Sequence, residues 1–265
     1  MGINNHSLAD SHTHVLTTDK TYHHFPKHYH ETYSIALLTD GAKDFRTNSI
    51  RCTLDGTNIV TMNPGEIHSG DSLTENGWKQ VVILFDSHSG RRFAEENGLR
   101  QKDLTFSRTV KDDYRFRSSV LNICKMVDNA DSDIEKDSLH ESLMGELFSS
   151  EKVFTCDTKY SNNAGVNRAI ALMTDEPDGR HTLDSLAKTA CMSKFHFIRT
   201  FCEATGVTPH AYLNITRVER AKGLLLRGGV SITEAAHMCG FADQAHLNRA
   251  YKKIYGTTPG ALFKK

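Results

Sequence analysis

Residues 240–260 read GFADQAHLNRAYKKIYGTTPG. Leu247, Tyr251 and Ile254 recur at helical spacing and predict one buried stripe. Asp243 stands where a helix N-cap belongs, and Gly256 where a left-handed residue closes a helix at little cost. Gln244, Ala245, Asn248 and Arg249 fall on the remaining faces, with Lys252 and Lys253 on the last turn. Gln, Asn and Arg exposed on a short capped helix are side chains that read base edges in the major groove. The stretch therefore predicts a DNA-reading helix.

It also has a counterpart upstream. LDSLAKTACMSKFHFIRTFCEATGVTP (183–209) lies over ITEAAHMCGFADQAHLNRAYKKIYGTTP (232–259). Leu183 matches Ile232 and Ala187 matches Ala236 at an offset of 49. After one extra turn residue, Phe197, Arg199, Phe201, Gly206 and Pro209 match Leu247, Arg249, Tyr251, Gly256 and Pro259 at an offset of 50. Each unit, about 183–206 and 232–256, reads as a short helix, a tight turn and a capped second helix, the helix-turn-helix pattern. In the first unit Ser193 is the cap and Phe197 and Phe201 go inward, leaving Phe195, His196, Ile198 and Arg199 outside. A connecting helix is expected over 208–227, and residues from about 163 onward should fold alone as a monomer.

The N-terminal half is built differently. TYSIALL, DFRT, CTL, NIVTM and KQVVILF are short β-branched runs separated by TDG, LDG and NPG turn signals, which predicts a small barrel or sandwich. From about Asp112 the period becomes helical, with one stripe of Phe116, Val120, Ile123 and Met126 and another of Leu139, Leu143 and Leu147. Leu121 with Cys124, and Leu143 with Leu147, exceed what one barrel face needs, so these helices are expected to carry homodimerisation. The fold class is α+β in two domains: 1–150 for sensing and dimerisation, a polar linker at 151–163, and a helical domain over 164–265.

Charge follows the same division. Residues 1–162 hold 18 Lys+Arg and 24 Asp+Glu, whereas 163–265 hold 14 and 8, which points the C-terminal part toward a polyanion. The N-terminus has no signal-peptide pattern and no apolar run could span a bilayer. The six cysteines are scattered without a CxxC pair, the usage of a reducing cytoplasm.

GFADQAHLNRAYKKIYGTTPG resembles the signature of AraC/XylS-type transcriptional regulators, and the likeness runs back through SITEAAHMCGF, AYLNITRVERAKGLLL and the first unit, about residues 165–262. The resemblance implies two recognition helices in successive major grooves. It places Phe195, Ile198 and Arg199, with His196 beside them, on the first, and Gln244, Ala245, Asn248 and Arg249 on the second. Helix N-termini near Thr182 and Ser231 would meet phosphates. Ile198 and Ala245 depart from the polar residues common among relatives and offer only apolar contact, for instance to thymine methyls.

HHFPKHYHETYS and MNPGEIHSG resemble the two motifs of a cupin barrel, with His28, His30 and His68 brought together. The cupin metal set adds a Glu after the second His; here those positions are Ser34 and Ile35, so the histidines are assigned to an effector pocket with Gln80 and Val82, without metal or cofactor. The polar segment 1–24 would be an effector-responsive arm. The resulting reading is a cytoplasmic, non-enzymatic, homodimeric regulator binding promoter DNA, a small-molecule effector and, as an activator, RNA polymerase. A metal-dependent cupin enzyme fused to a DNA-binding module, and an effector-independent regulator, are the alternatives.

Overall fold

The computed structural model describes residues 3–8, 12–96, 106, 110–127, 129, 130, 132–150 and 163–263. Its contacts divide the chain into two units. The first comprises Met1–His24, His30–Glu66 and Gly70–Asp157; the second comprises Phe25–Tyr29, Ile67–Ser69 and Thr158–Lys265.

The first part of the chain forms nine strands: β1 (Ile3–Leu8), β2 (Thr13–Thr21), β3 (Phe25–His28), β4 (Tyr33–Asp40), β5 (Lys43–Thr47), β6 (Arg51–Leu54), β7 (Ile59–Met62), β8 (His68–Ser72) and β9 (Trp78–Phe85). Helix α1 (Ser87–Glu96), strand β10 (Val110–Lys111) and helices α2 (Tyr114–Val127) and α3 (Asp133–Ser150) follow. One sheet runs β1-β2-β9-β4-β7-β10 and a second β3-β8-β5-β6.

Alternation along β4 and β9 sorts two faces, because successive strand side chains point to opposite sides. Tyr33, Ile35 and Leu37, with Val81, Ile83 and Phe85, share one core with Phe116, Val120, Ile123, Leu143 and Leu147 of α2 and α3. Each such buried side chain stabilises by about 1.5–3 kcal/mol. The opposite face carries Ser34, Ala36 and Leu38 on β4, paired with Leu84, Val82 and Gln80 on β9. It forms the inner wall.

Three expectations change here. Segment 1–24 does not precede the first strand but contains two, Ile3–Leu8 and Thr13–Thr21: β1 pairs β2 and β2 pairs β9, as the β-branched run of Thr13, Val15, Thr17 and Thr18 favours. Met126 is exposed, and Cys124 and Val127 take its place on the buried stripe of α2, because 127, not 126, keeps the helical phase set by 116, 120 and 123. The stripes assigned to dimerisation are already used, since Cys124, Leu143 and Leu147 lie in the unit's own core with Leu121 packed against it. The expected linker lies outside the described residues except for Asn163.

The second unit is helical: α4 (Ala164–Asp175), α5 (Leu183–Thr189), α6 (Lys194–Thr205), α7 (Pro209–Arg227), α8 (Ile232–Met238), α9 (Gln244–Tyr255) and α10 (Pro259–Leu262). The expected connecting helix is α7, capped by Thr208 with Pro209 in its first turn. Phe197, Phe201, Leu247, Tyr251 and Ile254 all enter its core, as the repeat required. Tyr29 belongs to this core too: its hydroxyl lies 2.6 Å from Thr216 Oγ1 and its ring 5.1 Å from Tyr212. The unit is thus larger than residues 163–265 alone. Glu219 and Lys222 of α7 are buried as an ion pair at 3.2 Å, and Lys222 also donates to the Tyr255 hydroxyl at 3.1 Å. Burial, reinforced by the Glu219 charge, holds the Tyr251 phenol well above its usual pKa.

Candidate nucleic-acid interface and inner wall

Both helix-turn-helix units form as their sequences dictate. Ser193 accepts from the His196 N–H and Asp243 from the His246 N–H, so each second helix starts on a side-chain cap. Gly206 (φ 77°) and Gly256 (φ 72°) end them in the left-handed region. The first helices start on capping boxes, Thr182 with Ser185 and Ser231 with Glu234. The Ser231 backbone N–H holds the Glu234 carboxyl below the usual range.

Every residue assigned to base or backbone contact is solvent-accessible. Phe195 is 79% exposed, an aromatic ring held in water on α6 beside exposed His196, Ile198 and Arg199. On α9, Gln244, Ala245, Arg249, Lys252 and Lys253 are exposed and Asn248 is half-buried.

The two faces differ in chemistry. The cations of α6 are paired: Lys194 reaches Asp184 at 2.8 Å, and Arg199 reaches Glu203 at 2.9 Å one turn on. Helix α9 contains no acidic residue, and Arg249 makes no hydrogen bond or ion pair among the described residues. Gln244 Oε1 accepts from Thr233 Oγ1 at 2.7 Å, a brace across the turn from α8. Asn248 Oδ1 is buried and receives no hydrogen bond among the described residues. The Asn248 acceptor is buried and one acceptor site of Gln244 is used, while Arg249, Lys252 and Lys253 offer only donors. Sequence reading found these positions but not this polarity, which depends on contacts from another helix.

His28 and His68, both in the second unit, stand with their rings 4.3 Å apart. His28 Nδ1 donates to the Pro26 carbonyl at 2.8 Å, which fixes the orientation of the ring. Gln80 and Val82 lie elsewhere, on the inner face of β9 together with Trp78. His28 and His68 stand on β3 and β8, and Gln80 and Val82 on β9.

Sequence reading missed Lys43. Its ammonium donates to Gln80 Oε1 at 3.2 Å and stands 5.7 Å from the centre of the Trp78 ring. Burial lowers its pKa to about 8, against a smaller opposing contribution from Cys52. In KDFRT nothing but alternation with Phe45 marks Lys43 as inward-facing.

Comparison with known proteins agrees with this architecture. Residues 14–147 match the AraC-like ligand binding domain and residues 186–265 a helix-turn-helix domain. The chain is similar to the HTH-type transcriptional activator RhaS of Escherichia coli O139:H28, at 23% identity over 89% of this chain and 86% of that protein. It is 23% identical to the HTH-type transcriptional regulator YbfI of Bacillus subtilis, over 84% of this chain and 81% of that one. Apo ToxT of Vibrio cholerae has a similar fold, with a TM-score of 0.62 at 15% identity over 96% of this chain and 97% of that one. Unsaturated fatty acid-bound ToxT gives 0.60 at 15% identity, over 94% and 92%.

Proposed function

The chain belongs to the AraC family of transcriptional regulators, and on that premise we propose that α6 and α9 read successive major grooves of promoter DNA under the control of a small molecule held inside the N-terminal barrel. The observation that carries the DNA reading is the pair of capped helices whose accessible faces hold Phe195, His196, Ile198 and Arg199 on α6, and Gln244, Ala245, Asn248, Arg249, Lys252 and Lys253 on α9. Arg249 acts as a base reader and Lys252 and Lys253 as phosphate contacts; Phe195 and Ile198 supply apolar contact. We assign the protein no enzymatic step, a homodimeric state, RNA polymerase as a partner at activated promoters, and the cytoplasm as its location. Among the described residues no helix is long and apolar enough to cross a membrane.

Selection of genomic fragments by the purified protein, followed by footprinting, tests this reading. The expected footprint has two protected major-groove segments about one helical turn (~10.5 bp) apart. Uniform affinity for all fragments would count against it. The proximity of His28 and His68 favours one second reading, a metal-dependent barrel. Stoichiometric transition metal in protein purified without a histidine tag, with regulation lost on chelation, would support that reading instead.

A further inference from the structure

The inner wall of the barrel holds a cation and unsatisfied polar atoms, arranged along one line. At one end, Gln80 Oε1 accepts from both Lys43 Nζ and Trp78 Nε1, each at 3.2 Å. Two donors fill its acceptor capacity, so the Gln80 NH₂ and the remaining Lys43 N–H bonds are what this end can offer. No carboxylate pairs with Lys43 among the described residues. A cation desolvated beside an indole face, bonded to a neutral amide oxygen and to no carboxylate, is complementary to an anion.

The register supplies the rest. Ser34 pairs Leu84 four residues further along β9 from Gln80, and Ser7 reaches the same row through His14. The intervening row contains Asn5, aligned through Leu16 and Val82 with the small Ala36. Ser34 is completely buried, and Ser34 Oγ, Ser7 Oγ and Asn5 Oδ1 are buried atoms with no hydrogen bond among the described residues. Buried polar atoms are normally paired, and leaving one unpaired costs about 1–3 kcal/mol. Four strand residues span roughly 13–14 Å. A five- or six-carbon chain plus a hydrogen bond at each end covers that length.

We propose that the effector is a hydroxylated organic acid whose carboxylate accepts from Lys43 and Gln80 and whose hydroxyls meet Asn5, Ser7 and Ser34. The inference rests on the reading of the barrel as a ligand sensor and names the class of ligand. Lys43 is then a specificity-determining residue. Its lowered basicity is the expected state of a cation awaiting its counter-ion.

Calorimetric titration of the full-length protein tests this with five probes: gluconate, glucose, glucosamine, glucose 6-phosphate and octanoate. Gluconate should bind at least ~10-fold more tightly than glucose, the worth of one charge-assisted hydrogen-bonded contact. Its affinity should fall by about tenfold per pH unit above pH ~8, where Lys43 must take up a proton in order to bind it. Lys43→Met should remove both the preference and the pH dependence, and Lys43→Arg should restore part of the preference. A melting curve of each variant excludes loss of fold. Equal binding of gluconate and glucose, a preference for glucosamine, phosphate or octanoate, or a preference unchanged in Lys43→Met, would each overturn the assignment while leaving a ligand sensor standing. If no probe binds, the assignment falls; if, in addition, transcription from the target promoter ignores cell extract, the sensor reading falls with it.

Discussion

Arg249 and Gln244 share a helix but are held differently. Neither nearby carboxylate pairs with Arg249: Asp243 caps the His246 N–H and Glu234 accepts from the Ser231 N–H. Arg249→Ala should therefore leave the melting temperature unchanged while costing ~1–3 kcal/mol on the specific site and relaxing preference at one base pair. Binding to each single-base variant of the site, beside a melting curve, measures both. Gln244 Oε1 keeps one acceptor site beside the Thr233 bond, but that bond fixes the direction in which the amide can meet a base edge. Thr233→Val, which releases the amide, should then change the base preference at the Gln244 contact. An unchanged base profile in Thr233→Val would show that the brace does not govern recognition. These identities were legible because the repeat fixes them locally. Lys43 was not, since only the pairing of distant strands decides what its ammonium meets.

At the level of elements, the two helix-turn-helix units use the same turn with different residues. Cys191 has φ 57°, and its counterpart Gly240 has φ 74°. The left-handed region costs an L-residue about 1–2 kcal/mol, whereas glycine enters it freely but loses more freedom on folding. Cys191→Gly should accordingly stabilise by ~0.5–1 kcal/mol. Gly240→Ala should do the opposite, because its Cβ would stand 2.7 Å from the Asp178 Cα in addition to the backbone strain. A loss above ~2 kcal/mol in urea unfolding is expected. Equal effects at the two turns would contradict this account. The sequence announced both turns through their spacing, but it could not show that Pro177 and Asp178 close over only the second. The strands divide similarly. The runs of β4 to β7 and β9 carried turn signals and apolar alternation, whereas the polar β1 and β2 owe their strand state to pairing partners.

For the whole molecule, the spent apolar stripes of α2 and α3 redirect the search for a dimer interface. The described residues of this helical pair leave Tyr114, Met126 and Ile134 exposed instead. If the proposed dimer uses them, Met126→Glu with Ile134→Glu should dissociate it in sedimentation without lowering the melting temperature. Leu143→Asp should instead unfold the barrel unit, because Leu143 is fully buried in its core. A wild-type protein that sediments as a monomer at micromolar concentration would remove the dimer altogether.

The unequal charge of the two recognition helices also orders events in time. A protein searching DNA is held by phosphate attraction before any base is read, and this hold weakens steeply with salt. Lys194 and Arg199 of α6 are neutralised by Asp184 and Glu203, while α9 carries three cations and no acid. On the proposed reading, the second unit should be the one that rides along non-specific duplex. The first, with Phe195 and Ile198 outward, should gain its hold only on a sequence offering apolar groups. Raising the salt should shorten the sliding run through α9, whereas the lifetime on the cognate site should depend on α6.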